Sequence, residues 1–138
     1  MIRKSLFSVI VLLSLLISPL LAYAQDMRPQ GRYCGKVYHN GYMVNVEMTL
    51  EISPTGSLTG SMRYRDGEMV TEGKLTQISP PVGQRETLKW ADKYGTGYAF
   101  LEFSSDFSTF TGAWGSWAES PKQPTNPWTG KRCNGFIS

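Results

Sequence analysis

The sequence predicts an all-β fold: a single eight-stranded antiparallel up-and-down barrel whose ends are joined by a disulfide. Three observations carry that prediction. Apolar and polar residues alternate at period two through most of the chain, the pattern of a pleated, half-buried strand. Tight-turn residues interrupt this alternation about every ten positions, and no stretch has the period of an amphipathic helix. Two cysteines, Cys34 and Cys133, sit near the first and last strands. If they pair, those strands lie side by side, and a sheet whose ends meet is a barrel.

Residues 1–24 fall outside this domain. Arg3 and Lys4 form a positive start, Leu6 to Leu21 is an apolar run broken only by Ser8, Ser14, Ser18 and Pro19, and Ala22-Tyr23-Ala24 places small residues where a signal peptidase reads. That is the layout of a cleaved secretory signal. A retained membrane anchor is the competing reading, because the run is not far short of a spanning helix. Pro19 and the Ala-x-Ala site favour cleavage, with the mature chain starting at Gln25. The expectation is one secreted or periplasmic domain, residues 25–138, with no membrane span after cleavage.

The strands follow in order. Gly31 to Tyr38 ends at His39-Asn40-Gly41, and Asn-Gly is the strongest short hairpin signal. Tyr42 to Ile52 alternates most cleanly, with Tyr42, Val44, Val46, Met48, Leu50 and Ile52 on one face and Met43, Asn45, Glu47, Thr49 and Glu51 on the other. Ser53-Pro54-Thr55-Gly56 is a turn. Leu58 to Arg65 leads into Asp66-Gly67, a second hairpin signal, and Glu68 to Ile78 follows. Ser79 to Gln84, with Pro80-Pro81, reads as a loop, since proline removes ladder donors. Arg85 to Ala91 ends at Asp92-Lys93-Tyr94-Gly95. Gly97 to Trp117 is a hairpin with Ala99, Leu101 and Phe103 on one face of its first arm and Phe110, Gly112 and Trp114 on one face of its second. A Pro-rich loop, Glu119 to Pro127, precedes the closing strand Trp128 to Cys133.

Charge narrows the partners. The chain has 14 basic and 11 acidic residues, and removing Arg3 and Lys4 leaves 12 against 11. Nucleic-acid binders show a basic face or stripe, so no nucleic-acid partner is expected. An even cysteine count in an exported chain argues for a Cys34–Cys133 bridge. Closing a loop of about a hundred residues contributes on the order of 4–5 kcal/mol in the chain-entropy model. A metal pair is the weaker alternative, with His39 as its lone candidate partner.

Three segments share the form apolar-Thr-Gly-x-large: Leu58 to Met62, Phe110 to Trp114 and Trp128 to Arg132. A glycine inside a strand marks a bend or the close approach of a neighbouring ring, so Gly60, Gly112 and Gly130 read as structural positions. Gly31-Arg32-Tyr33 opening the first strand, Gly56 to Gly60 ending the second hairpin and the late Phe110-Thr111-Gly112 strand resemble the avidin and streptavidin barrel. More loosely they resemble the lipocalin-type barrels, which open on Gly-x-Trp and close with a basic residue packed over that ring. The resemblance implies a small-ligand-binding barrel and gives Arg132 the role of stacking on Tyr33. The biotin site does not carry over: Gly35 stands where the avidin pattern has asparagine, and Met62 where it has tyrosine.

Catalysis has little support in the residues. A triad needs an oriented histidine, and His39, the only one, lies beside a hairpin turn where exposure is expected. No metal-ligand spacing and no cofactor motif is present. Glu47 and Glu51 share a strand face roughly 13 Å apart, too far for a glycosidase pair, and read as solvated. The expectation is a non-enzymatic binding module taking a small apolar or amphipathic ligand. The alternative is a protein-interaction module, such as an inhibitor or an envelope-associated partner, acting through its loops. Connections in a meander alternate ends, so the Glu119 to Pro127 loop shares an end with the turns after His39, Asp66 and Asp92. That end collects Tyr94, Trp117, Trp128 and His39, the candidate binding residues. Trp114 reads as core, and Trp90 as lying near a mouth. Rings that merely cap the open ends are the structural alternative.

Overall fold

Strands with one apolar face have to share an interior, and eight of them do so here by closing on themselves. The computed structural model describes residues 28–117 and 124–134. The strands are β1 (Gly31–His39), β2 (Tyr42–Ile52), β3 (Leu58–Asp66), β4 (Met69–Val82), β5 (Arg85–Asp92), β6 (Gly95–Phe103), β7 (Thr109–Ser116) and β8 (Asn126–Arg132). Each pairs antiparallel with the next and β8 pairs with β1, giving a closed meander barrel. The Asn40-Gly41 turn has both residues left-handed, as the hairpin signal requires. The segment 1–24, expected to be a signal, and most of the Glu119 to Pro127 loop lie outside the described residues.

The Pro80-Pro81 segment departs from expectation. β4 runs through both prolines to Val82 and turns only at Gly83-Gln84. Two register shifts, between Gln77 and Ser79 and between Ser79 and Val82, place extra residues in β4 opposite β5. Prolines fit a strand at such irregularities because the ladder asks no N–H of them there. Pro127 likewise enters β8, paired with Ala113 just beyond the last β1 partner of that strand.

The inward faces form the core: Val46, Met48 and Leu50 of β2, Leu88 and Trp90 of β5, and Ala99, Leu101 and Phe103 of β6 are all buried. At the end where β1 begins and β8 finishes, aromatic rings fill the barrel. Tyr33 meets Phe103 and Phe110 edge-on, with centroids 5.4 and 5.7 Å away, and Phe107 lies against Phe103. Phe107 sits in the β6–β7 turn at φ 56°, a backbone region costly for a bulky residue. Its carbonyl accepts from the Tyr33 hydroxyl at 2.6 Å and from Arg132 Nε at 3.0 Å, and its ring is buried. Arg132 lies over the Tyr33 ring at 5.1 Å, the contact the lipocalin-type resemblance implied. The Cys34–Cys133 bridge forms at this same end, with Cα atoms 5.7 Å apart. We call it the floor.

Two carboxylates differ from their sequence reading or were absent from it. Glu47, expected to be solvated, is 5% exposed, with Arg32 Nε 2.8 Å from its carboxylate. A buried carboxylate is tolerated when a cation is held against it. Glu86 shares the inward face of β5 with Leu88 and is 2% exposed. Its Oε2 has no hydrogen-bond partner among the described residues, and burial raises its pKa against the pull of Arg28. Of the three repeated glycines, Gly130 makes room for the Phe110 ring, where a Cβ would lie 2.5 Å away. Gly60 and Gly112 instead lie against carbonyl oxygens of the neighbouring strands.

Candidate functional site

The opposite end of the barrel, the mouth, is built by carrying the inward alternation one step past the apolar core. Val37 is followed on that face by His39, Tyr64 by Asp66, Trp90 by Asp92 and Trp114 by Ser116. The result is a cavity of about 200 Å³ with Val37, Val46 and Met62 among its apolar lining. Tyr64, Trp90, Trp114 and Trp128 add rings, and His39, Asp92, Tyr94 and Ser116 add polar groups.

The indoles are held differently. Trp90 Nε1 donates to the Gly115 carbonyl at 3.1 Å, and Trp114 Nε1 donates to the Tyr38 carbonyl at 2.9 Å. The two rings meet edge-on with centroids 5.4 Å apart. Trp90 fits because position 97 is glycine: a Cβ there would lie 2.6 Å from its Nε1. Trp128 is 2% exposed, and its N–H has no hydrogen-bond partner among the described residues. A buried donor left unpaired costs about 1–3 kcal/mol.

Asp66 is the hub of the rim. It accepts from His39 Nε2 at 2.9 Å, Thr71 Oγ1 at 2.7 Å and the Tyr94 hydroxyl at 2.5 Å, with Lys93 Nζ 3.3 Å away. The Tyr94 hydroxyl, then His39 and Thr71, hold its carboxyl well below the usual range. An ionised carboxylate only accepts, so the proton of this contact sits on His39 Nε2. Asp92 accepts from the Tyr64 hydroxyl at 2.7 Å and from the Tyr94 backbone N–H at 2.8 Å. Burial, then the bond to Asp92, raises the Tyr64 hydroxyl's pKa far above its ordinary value. The rim is therefore a bonded network of residues from β1, β3, β4, β5 and the β5–β6 turn.

Among the candidate residues, His39, Tyr94 and Trp128 line one cavity. His39 is less exposed than its place beside a turn suggested: its side chain is 17% exposed, edge-on to Tyr64 and bonded to Asp66. Trp117 is separate. It lies on the outer wall, 43% exposed, against Tyr98 and under the Lys89 ammonium. Trp114, expected in the core, is half-buried in the cavity wall. The residues missed were Tyr64, Asp66 and Asp92; extending the period-two count beyond Met62 and Leu88 finds all three. Among the described residues no three His, Cys, Asp or Glu side chains cluster as metal ligands would. A second depression, beside the disulfide between Arg32 and Arg132, has no aromatic wall. No protein-family model and no curated protein matches this chain, so the cavity has to be read from its own residues.

Proposed function

We propose that this chain is an exported, non-enzymatic binding module that takes a small apolar or amphipathic ligand into the mouth cavity. The observation that carries this reading is an aromatic-walled cavity of about 200 Å³ at one end of a barrel whose interior at the other end is occupied by aromatic rings. Ligand sites are typically concave, mostly apolar and equipped with a few fixed polar groups, and Trp90, Trp114, Trp128, His39 and Asp92 supply that mixture here. Export is supported by the disulfide, which persists in oxidising compartments, and by the layout of residues 1–24. Native mass spectrometry of the protein purified from its own source tests the reading. A retained small molecule, lost when Trp114 is replaced by alanine, is the expected result; a bare chain that also binds nothing from an apolar small-molecule panel overturns it.

A second reading has an observation of its own. Tyr42, Met43, Met69, Tyr94 and Trp117 are exposed, and all lie at the mouth end. Such a collar suits a protein partner docking over the opening. The same spectra separate the two readings, because a partner adds a protein-sized mass and a ligand does not.

A further inference from the structure

The three indoles of the mouth cavity are not equivalent. Those of Trp90 and Trp114 spend their N–H groups on the barrel's own carbonyls. That of Trp128 has no acceptor among the described residues, although Trp128 is 98% buried and lines the cavity. Native structures rarely leave a buried side-chain donor unpaired, and the cavity that Trp128 lines is where a ligand could supply the partner.

The rim constrains the ligand's charge. Asp66 and Asp92 both face the opening's polar ring, and their oxygens are already taken by His39, Thr71, Tyr94 and Tyr64. With the Lys93 ammonium offsetting one of the two carboxylates, the rim keeps a net negative charge that disfavours an anion, and a cation finds the carboxylate lone pairs largely committed. Size gives the last constraint. An apolar cavity of about 150 Å³ holds one benzene ring, so about 200 Å³ suits a slightly larger planar molecule.

We propose that Trp128 is the specificity-determining donor of this site, and that the ligand class is a neutral planar one- or two-ring molecule carrying a single hydrogen-bond acceptor. The acceptor meets the Trp128 N–H while the rings lie among Tyr64, Trp90 and Trp114. This rests on the mouth being a ligand site.

Quinoline and naphthalene test it, because they share one shape and differ by one acceptor nitrogen. Calorimetry on the full disulfide-bonded chain should find quinoline about tenfold tighter, a difference of about 1.4 kcal/mol, and Trp128→Phe should bring the two ligands level. Equal binding by the native chain, or a preference that survives Trp128→Phe, overturns the donor role and leaves the mouth site standing. Binding of neither molecule overturns both. Should Trp128→Phe fail to fold, the indole ¹⁵N–¹H resonance of Trp128 in the native chain decides. A downfield shift with quinoline and not with naphthalene supports the assignment, and no difference overturns it.

Discussion

At the floor, Tyr33, Phe103, Phe107 and Phe110 fill the cross-section of the barrel; at the mouth, Tyr64, Trp90, Trp114 and Trp128 surround a space and leave it open. Both groups are aromatic and both come from inward strand positions, so ring size does not decide the outcome. The two groups differ in where their anchored rings are tied. Phe103, Phe107 and Phe110 have no polar side-chain atom to tie them to a strand; Phe103 meets the other two at tilted angles, and Phe103 and Phe110 meet Tyr33 edge-on. Trp90 and Trp114 are tethered by N–H bonds to wall carbonyls, which holds them along the wall. Tyr33 is tied too, but to the Phe107 carbonyl in the turn beneath the rings, so its bond holds the plug together.

The largest expected effect is at the floor. Replacing Cys34 and Cys133 together by serine should cost about 4–5 kcal/mol in a denaturant titration, because the bridge closes a separation of 99 residues. A loss below about 1 kcal/mol would mean that β1–β8 pairing alone holds the seam. Arg132→Met comes next. It removes the contact over Tyr33 and the bond to the Phe107 carbonyl, and about 1–2 kcal/mol should go with them. The variant should bind mouth ligands as before; a change there would break the separation of the two ends.

Glu86→Gln should act in the opposite direction. Burial raises the pKa of Glu86, so the stability it contributes is complete below the ordinary glutamate value of about 4.3 and is lost as pH rises through the raised value. The amide should therefore stabilise the protein at pH 7, and the gain should vanish near pH 4. A gain that is independent of pH would point to packing instead. The smallest effect on stability is expected at the mouth. Tyr94→Ala removes an exposed ring and its bond to Asp66, and the unfolding midpoint should stay where it is. Ligand dissociation, followed by stopped-flow fluorescence, should quicken, because Tyr94 lines the opening. An unchanged rate would remove Tyr94 from the site.

Much of the floor and the strand order was legible in the sequence because period-two alternation and the Asn40-Gly41 and Asp66-Gly67 turns act locally. The Tyr33–Arg132 stack was legible only through a resemblance, since it joins positions 99 residues apart. The course of β4 through Pro80 and Pro81 was hidden because the register shift that admits them depends on β5, not on the prolines. The rim was hidden for a different reason. Asp66 and Asp92 have the residue types of turns, and their inward direction shows only when the strand's phase is carried into the turn.

The closed seam has a practical consequence for handling the molecule. β1 starts and β8 ends at the floor, with Arg132 reaching the Gln30 carbonyl and the Cys133 amide bonded to Arg32. Either flank of the barrel is thus a handle on the side away from the cavity. A sensor surface, a resin or a fused protein joined there holds the barrel upright with its opening toward the solution, and no linker has to cross the rim.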